Sequence, residues 1–112
     1  MACRFDEAHS LASNAVYDIT VVSDDLRTVD GGATLSLVGP SGVAATCRLG
    51  RDATGVFRDR LYGTLVTSGD GMPEATDGYE IVGMKFRVVL DDGTALIDME
   101  VPVVLAICPC AI

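Results

Sequence analysis

The sequence contains no tryptophan, and aromatic residues make up only 5% of its 112 residues. Carbohydrate sites and single-stranded nucleic-acid platforms stack their ligands on aromatic faces, so few such faces are on offer. Basic charge is equally scarce. Lysine and arginine number 8 against 16 acidic residues, for a net charge of −8. A nucleic-acid binder needs a basic footprint to displace counterions, and an anionic membrane repels an acidic surface. The composition therefore predicts neither partner.

Long apolar runs are also missing. The start, "MACRFDEAHS", has no apolar core of the kind a secretory signal carries. The longest uncharged apolar run is the closing "VPVVLAICPCAI", residues 101–112. A membrane helix needs about 20 such residues. The expectation is cytoplasmic synthesis without a signal peptide, which is compatible with later residence in a virion released by lysis.

No catalytic constellation is legible. His9 is the single histidine, and no spacing joins it to Cys3, Cys47, Cys108 or Cys110 as a nucleophilic pair. The letters "DEAH" at Asp6–His9 match a helicase box. The phosphate-cradling G-x-x-x-x-G-K-[ST] loop that this chemistry requires is missing. No G-x-S-x-G elbow is present. The reading is a non-enzyme with no cofactor.

What is present is strand-like alternation. "AVYDITVV" (15–22) places Tyr17, Ile19 and Val21 on one face. "ATLSLVG" (33–39), with Leu35 and Leu37 inward, and "VAATCRLG" (43–50) flank "GPSG", a turn signal that predicts a hairpin. The middle predicts either a strand over 55–67 or a helical turn near "FRDRLY" before a strand at 62–67. "YEIVGMKFRVVL" and "TALIDMEVPVVLAI" flank "DDG", a second hairpin turn. These short strands and turns predict an all-β fold, a small antiparallel β-sandwich or barrel. Residues 1–14 read as an N-terminal arm or a short helix, and 15–112 as one β-domain with a long C-terminal hairpin and apolar tail.

The tail raises the sharpest question. After Glu100 the alternation disappears and every residue is apolar. A strand buried on both faces, or covered by a partner, has this composition. Pro102 has no N–H for a ladder. A strand over 94–107 would span about 45 Å, twice the usual length. The expectation is that it breaks at Pro102 and switches sheets, or that its end leaves the domain. Val101, Val103, Val104, Leu105, Ile107 and Ile112 are the candidate assembly residues.

Two further groups are candidate sites. Cys3, Cys47, Cys108 and Cys110 are either buried thiols or disulfide partners; Cys108-Pro109-Cys110 lacks the spacing of redox, zinc or prenylation motifs. Asp70, Glu74, Asp77 and Glu80 fall in one glycine-rich loop. Clustered carboxylates suit a hard cation, but the calcium-loop spacing is missing and a solvated loop is the default.

The function expected is a non-enzymatic structural or assembly protein with protein partners, a homo-oligomer or part of a larger assembly, such as a phage head-decoration (cement) protein or other virion component. The alternatives are a small-ligand or metal-binding β module using the 70–80 loop or the cysteines, and a thiol-dependent enzyme.

Overall fold

A computed structural model describes residues 2–3, 11–68, 71–73 and 79–106. Within them the chain is all-β. In chain order the strands are β1 (Ala2–Cys3), β2 (Leu11–Ala12), β3 (Val16–Val22), β4 (Ala33–Gly39), β5 (Gly42–Leu49), β6 (Arg60–Val66), β7 (Tyr79–Leu90) and β8 (Ala95–Ala106). A five-stranded sheet in the order β2-β8-β7-β4-β5 curls into a half-barrel, faced by a second sheet in the order β1-β3-β6. The loop after β3 holds a short 3-10 turn, Asp24–Thr28. Its first turn is capped by Ser23, whose Oγ accepts from the Asp25 N–H at 3.2 Å.

Both predicted hairpins form. A glycine at positive φ serves each turn: Gly42 is the first residue of β5, paired with Gly39 across Pro40 and Ser41, and Gly93 lies between β7 and β8. The alternation expected for β3 and β4 sends Ile19, Val21, Leu35 and Leu37 into the core. The middle of the chain resolves into a loop followed by β6, with no helix at "FRDRLY". At the N-terminal side, residues 11–14 are strand and bend rather than helix, and Leu11 is a core residue.

The two sheets are joined at two seams. At the first, Gly50 and Tyr62 exchange main-chain hydrogen bonds of 2.9 and 2.8 Å. Beside them Gly63 crosses β5 so closely that a Cβ there would lie 2.6 Å from the Arg48 carbonyl oxygen. Only glycine allows this approach. At the second seam Thr67, fully buried, clasps the arm. Its main chain pairs with Asn14 and Ala15 at 2.8 and 2.9 Å, while its Oγ1 accepts from the Ala15 N–H at 3.0 Å and donates to the Ala12 carbonyl at 2.7 Å. Thr67→Val keeps the shape but orphans the Ala15 N–H. It is expected to cost about 2 kcal/mol, measured as a lower urea midpoint at unchanged m-value.

The C-terminal strand corrects the sequence reading. β8 neither breaks at Pro102 nor changes sheets. It runs in register with β7 from Ala95 to Ala106, with one bulge opposite Val88 and Val89. The length is accommodated because β7 is equally long, 12 residues against 12. Pro102 fits because of which way its nitrogen points. Val104 accepts from the Ser13 N–H at 2.8 Å, so its polar groups face away from β7. Pro102, two residues earlier, shares that orientation, and its missing donor faces the sheet edge below the short β2. Nor is the strand buried on both faces. Val101, Val103 and Leu105 are at most 2% exposed, Pro102 is exposed, and Val104 is half-buried.

Candidate interaction surfaces

The registers sort the loops and strand ends into two poles. One pole gathers the 3-10 turn, the loop between β5 and β6, and the turn between β7 and β8. The opposite pole gathers β2, the start of β3, the end of β6, the turn between β4 and β5, and the open end of the β7–β8 hairpin.

The loop pole is polar and tightly stitched. Five of the eight basic residues, Arg27, Arg48, Arg51, Arg58 and Arg60, lie there. Arg51 is the main staple. Its guanidinium donates to the main-chain carbonyls of Leu26 (2.8 Å), Val29 (2.8 Å), Gly31 (3.2 Å) and Arg58. The planar fork of five N–H donors suits this task, whereas an ammonium point charge does not. Arg48 makes a two-pronged bond to Asp91 at 2.8 and 3.1 Å, and a third bond of 3.0 Å to Thr34 Oγ1. The hydrogen bond from Arg48, then that from the Gly32 N–H, holds the Asp91 carboxyl below its usual range; the Arg48 guanidinium is raised in turn. Asp92 is lowered by the Thr94 N–H. These groups are solvent-exposed, so the effect is local ordering of the turn more than bulk stability.

From this pole projects the loop of residues 51–59. Its tip carries Val56, 68% exposed, and Phe57, 46% exposed. The tip is not slack. Asp52 and Thr54 bond through their side chains, the Gly55 N–H donates to the Asp52 carbonyl at 3.2 Å, and Gly55 adopts a φ of +67°. The Arg60 guanidinium carbon lies 4.7 Å from the Phe57 ring centroid, a cation–π arrangement that covers one face of the ring.

The opposite pole is apolar. The outer face of the β7–β8 hairpin changes character along its length. Near the turn, opposite charges face each other: Arg87 Nε lies 3.6 Å from Asp98, and Lys85 stands in register with Glu100. Towards the open end the cross-strand pairs become Gly83–Pro102 and Ile81–Val104, with Ile81 65% exposed. On the second sheet at the same pole, Val16 and Val66 face each other and are both exposed.

No protein-family model, curated protein or solved structure matches this chain.

The residues singled out in the sequence fall as follows. Val101, Val103 and Leu105 are taken up by the protein's own core, and only Val104 faces outward. Ile107, Ile112, Cys108 and Cys110 lie outside the described residues, as do Asp6, His9, Asp70, Glu74 and Asp77. Of Cys3 only the strand position is described. Cys47 is a half-buried thiol on the inward face of β5, and burial pushes its pKa up. A raised pKa disfavours the reactive thiolate. Among the described residues no group of three His, Cys, Asp or Glu side chains is placed to hold a metal ion, and no helix is long and apolar enough to cross a membrane.

Sequence reasoning missed Ile81 and the Val56–Phe57 tip. Ile81 had a usable signal, since it shares parity with Lys85 and Arg87 and must point outward with them. The tip had a weaker one: two large apolar residues between Gly55 and Arg58, outside any periodic segment.

Proposed function

We propose that this chain is a non-enzymatic assembly protein whose copies associate through the apolar pole. The observation that carries the reading is the outward Ile81–Val104 pair with its neighbour Gly83–Pro102. The same two strands place charged pairs at Lys85–Glu100 and Arg87–Asp98 where their outer face meets water. A monomer gains nothing from replacing them with valine, isoleucine and proline a few residues further on, whereas a covered face does. In the sequence the uncharged, apolar stretch runs on from Val101 to Ile112. A virion component such as a head-decoration protein is the setting we favour, on the grounds of size, acidity and a β-domain with arm and tail; this is an architectural analogy.

Ile81→Glu tests the reading. The side chain is outward, so the fold should tolerate the change within about 0.5 kcal/mol. Sedimentation velocity is expected to show the unaltered chain self-associating and the variant remaining a protomer. A variant that associates as well as the parent would remove the apolar pole from the account.

A further inference from the structure

We infer that the loop pole carries a site of spontaneous main-chain modification at Asp30–Gly31, where aspartate isomerises to isoaspartate through a cyclic imide. An Asp-Gly step is open to this closure because glycine has no Cβ to shield its nitrogen. Four such steps occur, at Asp30, Asp70, Asp77 and Asp92. Asp30–Gly31 and Asp92–Gly93 lie wholly within the described residues, and both are exposed to water. Their hydrogen bonds separate them. In the hairpin turn both reacting groups are engaged: the Gly93 N–H donates to the Leu90 carbonyl at 2.9 Å, and Asp92 Oδ1 accepts from the Thr94 N–H at 2.8 Å. The bond from Thr94 also lowers the Asp92 carboxyl, which shrinks the neutral fraction whose hydroxyl can leave. The Gly31 N–H, by contrast, has no hydrogen-bond partner among the described residues. The Asp30 side chain, 97% exposed, makes one ion pair with Arg58 at 3.1 Å, and such an exposed pair restrains it little.

The reaction needs only water. The Gly31 nitrogen attacks Cγ of Asp30. The N–Cγ bond forms, the bond from Cγ to its hydroxyl breaks, and that hydroxyl leaves with the amide proton as water. Water then opens the imide on either side. Breaking the new N–Cγ bond restores aspartate. Breaking the bond from nitrogen to the main-chain carbonyl carbon of Asp30 gives isoaspartate, whose chain runs through Cβ and is one carbon longer. The surroundings have no slack for that carbon. The Val29 and Gly31 carbonyls on either side both accept from Arg51, at 2.8 and 3.2 Å, and the Gly32 N–H donates to Asp91 at 3.0 Å. Gly32 lies so close to β5 that an added Cβ would stand 2.2 Å from the Leu49 carbonyl oxygen. Isomerisation therefore pulls against the Arg51 staple, and the isoaspartyl chain should unfold at a lower urea concentration than the parent.

Ageing the intact chain at neutral pH in water enriched in oxygen-18 tests this. Each opening of the imide leaves one heavy oxygen in a carboxylate. Digestion with trypsin in ordinary water then isolates the two steps, because cleavage after Arg27 and Arg48 releases residues 28–48 with Asp30 as their one acidic residue, and cleavage after Arg87 releases 88–112 with Asp92–Gly93 as their one Asp-Gly step. The folded chain is expected to label 28–48 several-fold faster than 88–112, and 28–48 should split into two chromatographic species of equal mass when aged in ordinary water. In concentrated urea, where neither step is held, the two peptides should label at similar rates. Asp30→Glu, which keeps the charge but lengthens the side chain so that closure would need a larger ring, should remove the label from 28–48 alone. The inference fails if the folded chain labels 88–112 as fast as 28–48, or if it labels neither while the unfolded chain labels both. An isoaspartyl-rich sample with the parent's urea midpoint would overturn the link to the staple.

Discussion

Phe86→Ala is expected to destabilise the protein by about 4 kcal/mol, the largest effect of any single substitution considered. Among the described residues Phe86 is the one aromatic ring with no exposure. It sits in the middle strand of the half-barrel, in register with Leu37 on one side and Met99 on the other. Met84 and Val88, its inward neighbours along β7, are equally buried. A core poor in aromatics has no second ring to move into the space, so a cavity remains and both transfer and cavity terms are lost. A domain of this size has about 5–15 kcal/mol in total, so the variant should retain a fold with a sharply lower denaturant midpoint. Phe86→Leu, which keeps much of the volume, is expected to cost about 1.5 kcal/mol. Equal losses for Leu and Ala would contradict the packing described.

Arg51→Ala is expected to cost about 3 kcal/mol, a large loss for a residue outside the core. It leaves the carbonyls of Leu26 and Val29 without the guanidinium at a part-buried position and releases Gly31 and Arg58 as well. Arg51→Lys should recover less than half, because three donors on one nitrogen cannot span four carbonyls spread over residues 26–31 and Arg58. A second readout separates this from general destabilisation. Amide exchange at Gly55 and Val56, whose N–H groups bond within the tip, should accelerate in both variants while amides of β7 respond only through global unfolding. Full rescue by lysine would show that charge, not the fork, is what the site needs.

The strands were legible where one face is apolar and the other polar. Ile19 and Val21 against Asp18 and Thr20, or Leu35 and Leu37 against Thr34 and Ser36, announce their orientation. Legibility failed where both faces are apolar. In "VPVVL" composition hides the phase, and only carrying the parity forward from Ile97 and Met99 reveals that Val101, Val103 and Leu105 point inward. Proline misled for a related reason: its missing donor forbids a paired side, but sequence does not say which side of β8 has a neighbour. The seams were invisible because they join distant residues. Gly63 reads as a helix breaker, yet its role is the close approach to Arg48. Arg51 reads as one more loop arginine until its four carbonyl partners come together in space.

The most direct test of the assembly account is sedimentation equilibrium of the unaltered chain across a wide concentration range. The account predicts an average mass that rises with concentration above the 11.7 kDa protomer and collapses to that value in Ile81→Glu. A single 11.7 kDa species at every concentration would contradict it.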